Sequence, residues 1–280
     1  MKIKAAIIDL YNNEYNEGIR CIKEIISSEN IPWDIYDARY KNEIPETDYD
    51  IYISSGGPGN PYDGEGTEWE KKYFTLLDNI IDHNLKFDNK KHFFFICHSF
   101  QIMARYFKFA EVNERYERSF GVHPFVKTIA GEFDPMLKDL PGTFYAADFR
   151  QYQVIQPNEK VLDDLGASVI SMEPNNNGHN REDNKMDNDR GASVITHDPA
   201  IMAVRISAEI AGTQFHPEAD PASMAYHFQQ KERKESVVNK FGESKYAEML
   251  ELLEKPEGIK LTRATVLPSF LKNAVIDLTK

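Results

Sequence analysis

One cysteine, one histidine and one glutamate stand where, together, they would run thiol chemistry. Cys97 follows directly on the apolar run Phe93–Ile96, and a segment of helical character follows it. A nucleophile at a sharp strand-to-helix turn sits at the carboxyl end of a sheet. There the N-terminus of the next helix favours anions, a thiolate included. His216 ends a second apolar run, in Gln214-Phe215-His216-Pro217-Glu218. An imidazole can take a thiol proton, and Glu218, two residues on, can accept a hydrogen bond from the ring and set its tautomer. A third segment, Ser54 to Gly59, reads Ser-Ser-Gly-Gly-Pro-Gly after another apolar run. Adjacent glycines let backbone N–H groups turn toward a developing oxyanion. Taken singly, each piece has a plainer reading: a buried cysteine, a core histidine beside a surface glutamate, an ordinary turn. Cys21, on an apolar helix face, takes that plainer reading.

Elements suited to holding these residues alternate along the first half. Ala5–Leu10, Trp33–Tyr36, Asp50–Ser54 and His92–Ile96 read as strands. Gly18–Ser27, Trp69–His83 and Ser99–Phe107 show helical spacing of apolar residues. This rhythm predicts a parallel sheet with helices on both faces. The second half is richer in strands, with candidates at Gly121–Ile129, Thr143–Ala147, Ser168–Met172, Ala192–Thr196, Ile201–Ile206 and Ile210–Phe215. Glu173 to Arg190, rich in Asn, Asp and Gly, reads as a solvated loop or insertion. From Pro221 the pattern is helical, broken at Pro256-Glu257-Gly258, with a last helix from about Ala264 to Leu278.

Composition narrows the function classes. The chain has 280 residues, 41% hydrophobic, enough for a sizeable core. Its net charge of −12 disfavours a phosphate backbone, so no nucleic-acid partner is expected; the Lys231–Lys234 cluster reads as a solvated helix face. Two cysteines suit neither a disulfide framework nor a zinc site. His83, His92, His123, His179, His197 and His227 lack ligand spacing, and Glu182, Asp183, Asp187 and Asp189 lack that of a calcium loop, so no metal is expected. No apolar run approaches the ~18 residues of a membrane span, and Met1–Leu10 is too short for a signal-peptide core, which places the chain in the cytoplasm.

The set Ser55-Gly56-Gly57-Pro58, then Ile96-Cys97 with Gln101, then Gln214-Phe215-His216-Pro217-Glu218 resembles the class I glutamine amidotransferase family over roughly residues 3 to 228. The glutaminase domain resembled is like that of GMP synthase. The resemblance implies an α/β fold with a mostly parallel central sheet flanked by helices. It implies a catalytic domain at 1–228; residues 229–280 lie beyond it and read as a helical C-terminal extension, which packs on the domain, caps the site, dimerises or docks a partner. It also implies that Cys97 attacks the carboxamide of glutamine to give a γ-glutamyl thioester, that His216 moves the proton and that Glu218 orients His216. The backbone N–H groups of Gly57 and His98 would hold the oxyanion. Gln101 would help hold the substrate, with Gly59 and Tyr152 as further pocket residues. No cofactor is implied. The partners implied are glutamine or a related γ-glutamyl amide and a separate synthetase subunit or a second copy of the chain.

The sequence departs from the family pattern in three places. Where the family's G-[IV]-C-x-G-x-Q has glycines, this chain has Phe95 and Ser99; Phe95 is expected to reshape the pocket or its back wall, and Ser99 to be tolerated. The region Phe149-Arg150-Gln151-Tyr152 replaces an S-H-x-D segment found in nucleotide-synthesis members, which makes Arg150 a pocket candidate as well. No ATP-pyrophosphatase loop and no G-x-x-x-x-G-K-[ST] phosphate loop occurs. Two rival readings stay open: a γ-glutamyl hydrolase or amidase acting alone, and a non-catalytic binding subunit of the same fold.

Overall fold

The computed structural model describes residues 3–175, 198–230, 234–235, 238–239, 242–254 and 256–280. The candidate strand Ala192–Thr196, the acidic residues Glu182 to Asp189, His179 and His197 lie outside the described residues. Four strands of the first half are β1 (Ala5–Asp9), β2 (Trp33–Asp37), β3 (Ile51–Ser54) and β4 (His92–Ile96). The second half adds β5 (Glu111–Lys127), β6 (Thr143–Ile155), β7 (Ser168–Met172), β8 (Ile201–Arg205) and β9 (Ile210–Thr213). They form one sheet in the order β2-β1-β3-β4-β9-β8-β7-β5-β6. Neighbours from β2 to β9 run parallel, and those from β9 to β6 antiparallel. β3, β4 and β9 are buried along their whole length, as the centre of a sheet covered on both faces requires.

One face carries α1 (Glu17–Ser28), whose N-cap Asn16 accepts from the Gly18 N–H. It packs with the last helix on a core that includes Ile7, Ile22, Ile25 and Phe94. The other face carries α3 (Glu68–Lys86) and α4 (His98–Phe107), over Tyr52, Tyr73, Phe93, Phe95 and Phe100. Three short helices escape the periodicity reading: α2 (Ala38–Lys41), α5 (Ile129–Phe133) and α6 (Glu159–Leu165). Each is started by a side-chain cap, from Asp37, Thr128 and Asn158 respectively. The Thr128 cap also ends β5 earlier than the expected Ile129.

β5 and β6 are far longer than the expected Gly121–Ile129 and Thr143–Ala147. Their added stretches, Glu111–Phe120 and Asp148–Ile155, are largely polar and pair at the sheet's end, with a register shift between Glu114 and Ser119. Such an edge hairpin meets water, so charged residues do not forbid a strand there.

The C-terminal part holds α7 (Pro221–Gln229), α8 (Glu243–Glu254), a kinked connection at Pro256–Lys260 and α9 (Leu261–Leu278). α9 begins three residues before the expected Ala264. It buries Val266, Leu267, Phe270, Leu271 and Ala274 in the core beneath α1. Side chains of the Val, Leu and Phe type stabilise by ~1.5–3 kcal/mol each when so buried. Among the described residues no helix is long and apolar enough to cross a membrane, and no group of three His, Cys, Asp or Glu is arranged to hold a metal ion.

Candidate active site

Cys97 is the hinge between β4 and α4. Its backbone sits at φ 50°, ψ −100°, a region that non-glycine residues rarely occupy and that costs ~1–3 kcal/mol. Two backbone bonds and a side-chain tie, the third support, hold it there. The Cys97 N–H donates to the Thr213 carbonyl at 2.8 Å, which prolongs the β4–β9 ladder, and the Cys97 carbonyl accepts from the Gln101 N–H at 3.1 Å. The third runs through Ser99, whose Oγ accepts from the Ile96 N–H at 2.7 Å and donates to the Ser54 carbonyl at 2.8 Å. Ser99 is thus more than tolerated: its hydroxyl ties the ends of β3 and β4 to the first turn of α4.

Phe95 is not at the pocket wall, contrary to the expectation. Its ring is fully buried on the α3–α4 face, stacked on Phe93 at a centroid distance of 4.2 Å. Room for its Cβ comes from the neighbouring strand. Phe95 pairs with Gly212, where a Cβ would meet Phe95 Cβ at 2.9 Å and Phe100 Cδ2 at 3.0 Å.

After β9 the chain leaves the sheet, and the His216 N–H donates to the Ala147 carbonyl of β6 at 2.8 Å. This aims the ring at Cys97. His216 Nδ1 is 2.9 Å from Glu218 Oε1, and the ring lies within electrostatic reach of the Cys97 sulfur. With Nδ1 on the carboxylate, the remaining nitrogen, Nε2, is the one left for the sulfur. Burial alone would push the imidazole pKa down; the Cys97 sulfur and the Glu218 carboxylate raise it well above the ordinary value. Glu218 is 1% exposed, so the ring and its carboxylate meet in a dry setting. Arg263 of α9 donates to the Glu218 backbone carbonyl, and Arg20 of α1 pairs with Asp220 at 3.2 Å.

The glycine turn stands against both His216 and Cys97. A Cβ at Gly56 would meet His216 Cε1 at 2.8 Å and Cys97 Cβ at 3.5 Å; one at Gly57 would strike the Leu10 carbonyl at 2.4 Å. Only glycines fit this closely. Arg39 braces the turn by donating to the Pro58 and Leu10 carbonyls, at 2.6 and 3.2 Å. Among the described residues the backbone N–H groups of Gly57 and His98 have no partner. The His98 side chain is buried within electrostatic reach of Arg39 and Arg105. Burial, with those two cations, pushes its imidazole down to about 3, so it is neutral and no base at neutral pH.

The remaining expected residues fall in two groups. Gln101 and the Tyr152 backbone are at the site: Gln101 Nε2 donates to the Tyr152 carbonyl at 3.1 Å and to Gln214 Oε1 at 3.2 Å. Gly59, at φ 91°, stands against Asp63 and Arg39 instead of the groups around Cys97. Arg150 is buried and held by Asp148 at 2.9 Å and by Glu173, which also pairs with Arg115. Burial pulls its pKa down, but these carboxylates raise it on balance, so a fixed positive charge lies within electrostatic reach of Cys97. Cys21 is buried on α1, where burial first, then Asp220 and Glu218, push its thiol up to about 12.

Sequence reasoning missed Tyr11. It is 5% exposed, and its hydroxyl lies 3.1 Å from where a Gly56 Cβ would be and 2.7 Å from where a Gly18 Cβ would be. Glu218 Oε1 is also beside that Gly18 position, at 3.1 Å. Burial, then Glu218 and Cys97, keep the phenol protonated, a neutral donor beside the site. Its position at the carboxyl end of β1 was the available signal. Phe149 was missed as a contact too: its carbonyl is 3.7 Å from Cys97 Sγ and its ring packs edge-on to His216.

Known proteins resemble the chain in family and in fold. The family model for glutamine amidotransferase class-I matches residues 6–233. A glutamine amidotransferase from Thermotoga maritima, 17% identical, superposes with a TM-score of 0.64 over 98% of this chain and 99% of its own. Another from Methylobacillus flagellatus, 12% identical, gives 0.63 over 100% and 94%. The CTPS glutaminase domain of Trypanosoma brucei, solved with bound acivicin and 13% identical, gives 0.51 over 81% and 92%. These likenesses are of fold. No curated protein matches. The chain belongs to the class I glutamine amidotransferase family.

Proposed function

We propose that the chain hydrolyses glutamine to glutamate and ammonia through a thioester on Cys97. The observation that carries this reading is the buried imidazole of His216, 2.9 Å from Glu218 Oε1 and within electrostatic reach of the Cys97 sulfur. His216 takes the thiol proton as the sulfur adds to the carboxamide carbon. The oxygen, now negative, receives the N–H groups of Gly57 and His98. His216 then gives its proton to the departing nitrogen, ammonia leaves, and the γ-glutamyl thioester remains. Water adds next, His216 accepts its proton, and collapse releases glutamate while the proton returns to the sulfur. Glu218 holds the ring in the tautomer that presents Nε2 and stabilises the imidazolium. Gln101 uses both amide hydrogens within the protein, so its Oε1 is the atom left to accept from a substrate α-ammonium group.

The ammonia would serve a synthetase on another chain in the cytoplasm. The non-catalytic reading loses its motive, because the two missing glycines are replaced by working alternatives: the Ser99 cross-tie and the Phe95–Gly212 exchange of volume. The test is intact-protein mass after incubation with 6-diazo-5-oxo-norleucine, with Cys97→Ala beside it. One adduct on the wild type alone, competed by glutamine, is expected. Alkylation of Cys97 by iodoacetamide with no adduct from the glutamine analogue would refute glutamine and favour another γ-glutamyl substrate.

A further inference from the structure

We propose that Gln214 is a catalytic residue that donates its Nε2–H to the Cys97 sulfur, resting on the reading of Cys97 as nucleophile. The amide nitrogen is 3.7 Å from Sγ and the residue is fully buried. An amide placed the other way round would present oxygen to a thiolate and oppose its charge. The orientation follows from a chain of bonds that begins at an atom of fixed character. The Tyr152 backbone carbonyl can only accept, so the Gln101 atom at 3.1 Å from it must be the nitrogen. The second hydrogen of the same nitrogen reaches Gln214 at 3.2 Å, so the Gln214 atom there must be the acceptor Oε1. That leaves Nε2 for the sulfur. A backbone carbonyl of β6 thus dictates, through two side chains, that a donor faces the nucleophile. The Gln214 backbone is itself pinned, its N–H donating to the Met202 carbonyl at 2.8 Å.

A donor on sulfur favours the thiolate over the thiol. The charged or titratable groups facing the same sulfur are His216 and Glu218 beyond β9, Tyr11 after β1 and Arg150 on β6. None of these is altered by replacing Gln214 with methionine, which is neutral, unbranched and similar in length.

The experiment follows alkylation of Cys97 by iodoacetamide against pH, by intact mass, in the wild type, Gln214→Met and Gln101→Met, with Cys97→Ala as blank. The thiolate sulfur attacks the methylene carbon and iodide leaves, so the rate reports the thiolate fraction with no glutamine present. Removing the donor is expected to move the midpoint of the rate profile up by about one pH unit, roughly tenfold slower labelling below both midpoints. Gln101→Met touches no sulfur, yet frees the Gln214 amide to turn, and is expected to move the midpoint in the same direction by less. A midpoint that stays at the wild-type value in Gln214→Met overturns the proposal. If that variant does not fold by circular dichroism, an unmoved midpoint in Gln101→Met overturns it instead. A merely structural role would lower the melting temperature and leave the midpoint in place. Should the wild type fail to hydrolyse glutamine while the midpoint still shifts, the proposed substrate falls and the role of Gln214 stands.

Discussion

Restoring the family's glycine at position 99 should damage this protein. Ser99 Oγ accepts from the Ile96 N–H at 2.7 Å and donates to the Ser54 carbonyl at 2.8 Å, in a region with no exposure. Ser99→Ala removes the hydroxyl and leaves the Ile96 N–H buried without its acceptor, a cost of ~1–3 kcal/mol. Ser99→Gly suffers the same loss and adds ~0.5–1 kcal/mol of backbone freedom in the first turn of a helix. The glycine variant should therefore be destabilised by ~1.5–4 kcal/mol and the alanine variant by somewhat less. Urea unfolding followed by circular dichroism measures this directly. With a slope of ~3 kcal/mol/M, the midpoint should fall by ~0.5–1.3 M for Ser99→Gly at unchanged slope. A Ser99→Gly midpoint at or above the wild type would refute the reasoning. It would mean that the glycine relieves strain at Cys97 that the serine tie merely endures.

Three further outcomes follow from the same geometry. His98 has a folded pKa of about 3 against an ordinary 6.5, so its contribution to stability is intact above pH 6.5 and is lost as the unfolded chain takes up a proton below it. By pH 4.5 the loss is on the order of a few kcal/mol, and thermal melts of His98→Gln between pH 7.5 and 4.5 should show a correspondingly smaller decline than the wild type. Gly56→Ala places a Cβ 2.8 Å from His216 Cε1, so glutaminase turnover should fall by ~10²-fold or more in a protein whose circular dichroism is unchanged. Gly212→Ala crowds the Phe95 Cβ at 2.9 Å and should cost ~1–3 kcal/mol in urea unfolding, and Phe95→Gly in the same chain should remove that Cβ–Cβ contact, so that the two losses fall short of additive.

What the sequence made legible are features written in short stretches of chain. A strand, Cys97 and a helix are contiguous, as are the two glycines of the turn and the pair His216 and Glu218, and local chemistry suffices to read them. The rest depends on residues far apart in the chain. Gln214 acquires a direction only from the Tyr152 carbonyl, which reaches it through Gln101. Phe95 looked like an obstruction because its compensating partner, Gly212, lies on another strand. The first part of β5 and the last part of β6 were hidden for a different reason. Residues such as Glu114, Arg118, Gln151 and Gln153 carry no alternation of apolar and polar character, and their pairing comes from the hairpin and its side-chain bonds, Arg118 to Gln151 at 2.7 Å and Arg115 to Gln153 at 2.8 Å.

The same distance in sequence explains why α9 belongs in an account of the site, although the family match ends at residue 233. Glu218 lies in a short link between β9 and α7 that has no ladder of its own beyond the single bridge from His216 to Ala147. A carboxylate that must orient an imidazole needs its own backbone held, since an error of 1 Å in a positioning group is costly. Two arginines supply that hold from opposite ends of the chain. Arg20 of α1 clasps Asp220, and Arg263 of α9 donates to the Glu218 carbonyl and pairs with Glu24 of α1 at 2.9 Å. Glu24 also pairs with Arg20 at 2.7 Å, so the two arginines are linked to each other through one α1 carboxylate. The apolar face of α9, anchored by Leu267, Phe270 and Leu271, keeps Arg263 in place. The position of Glu218 relative to Cys97 therefore depends on a helix that no active-site motif contains.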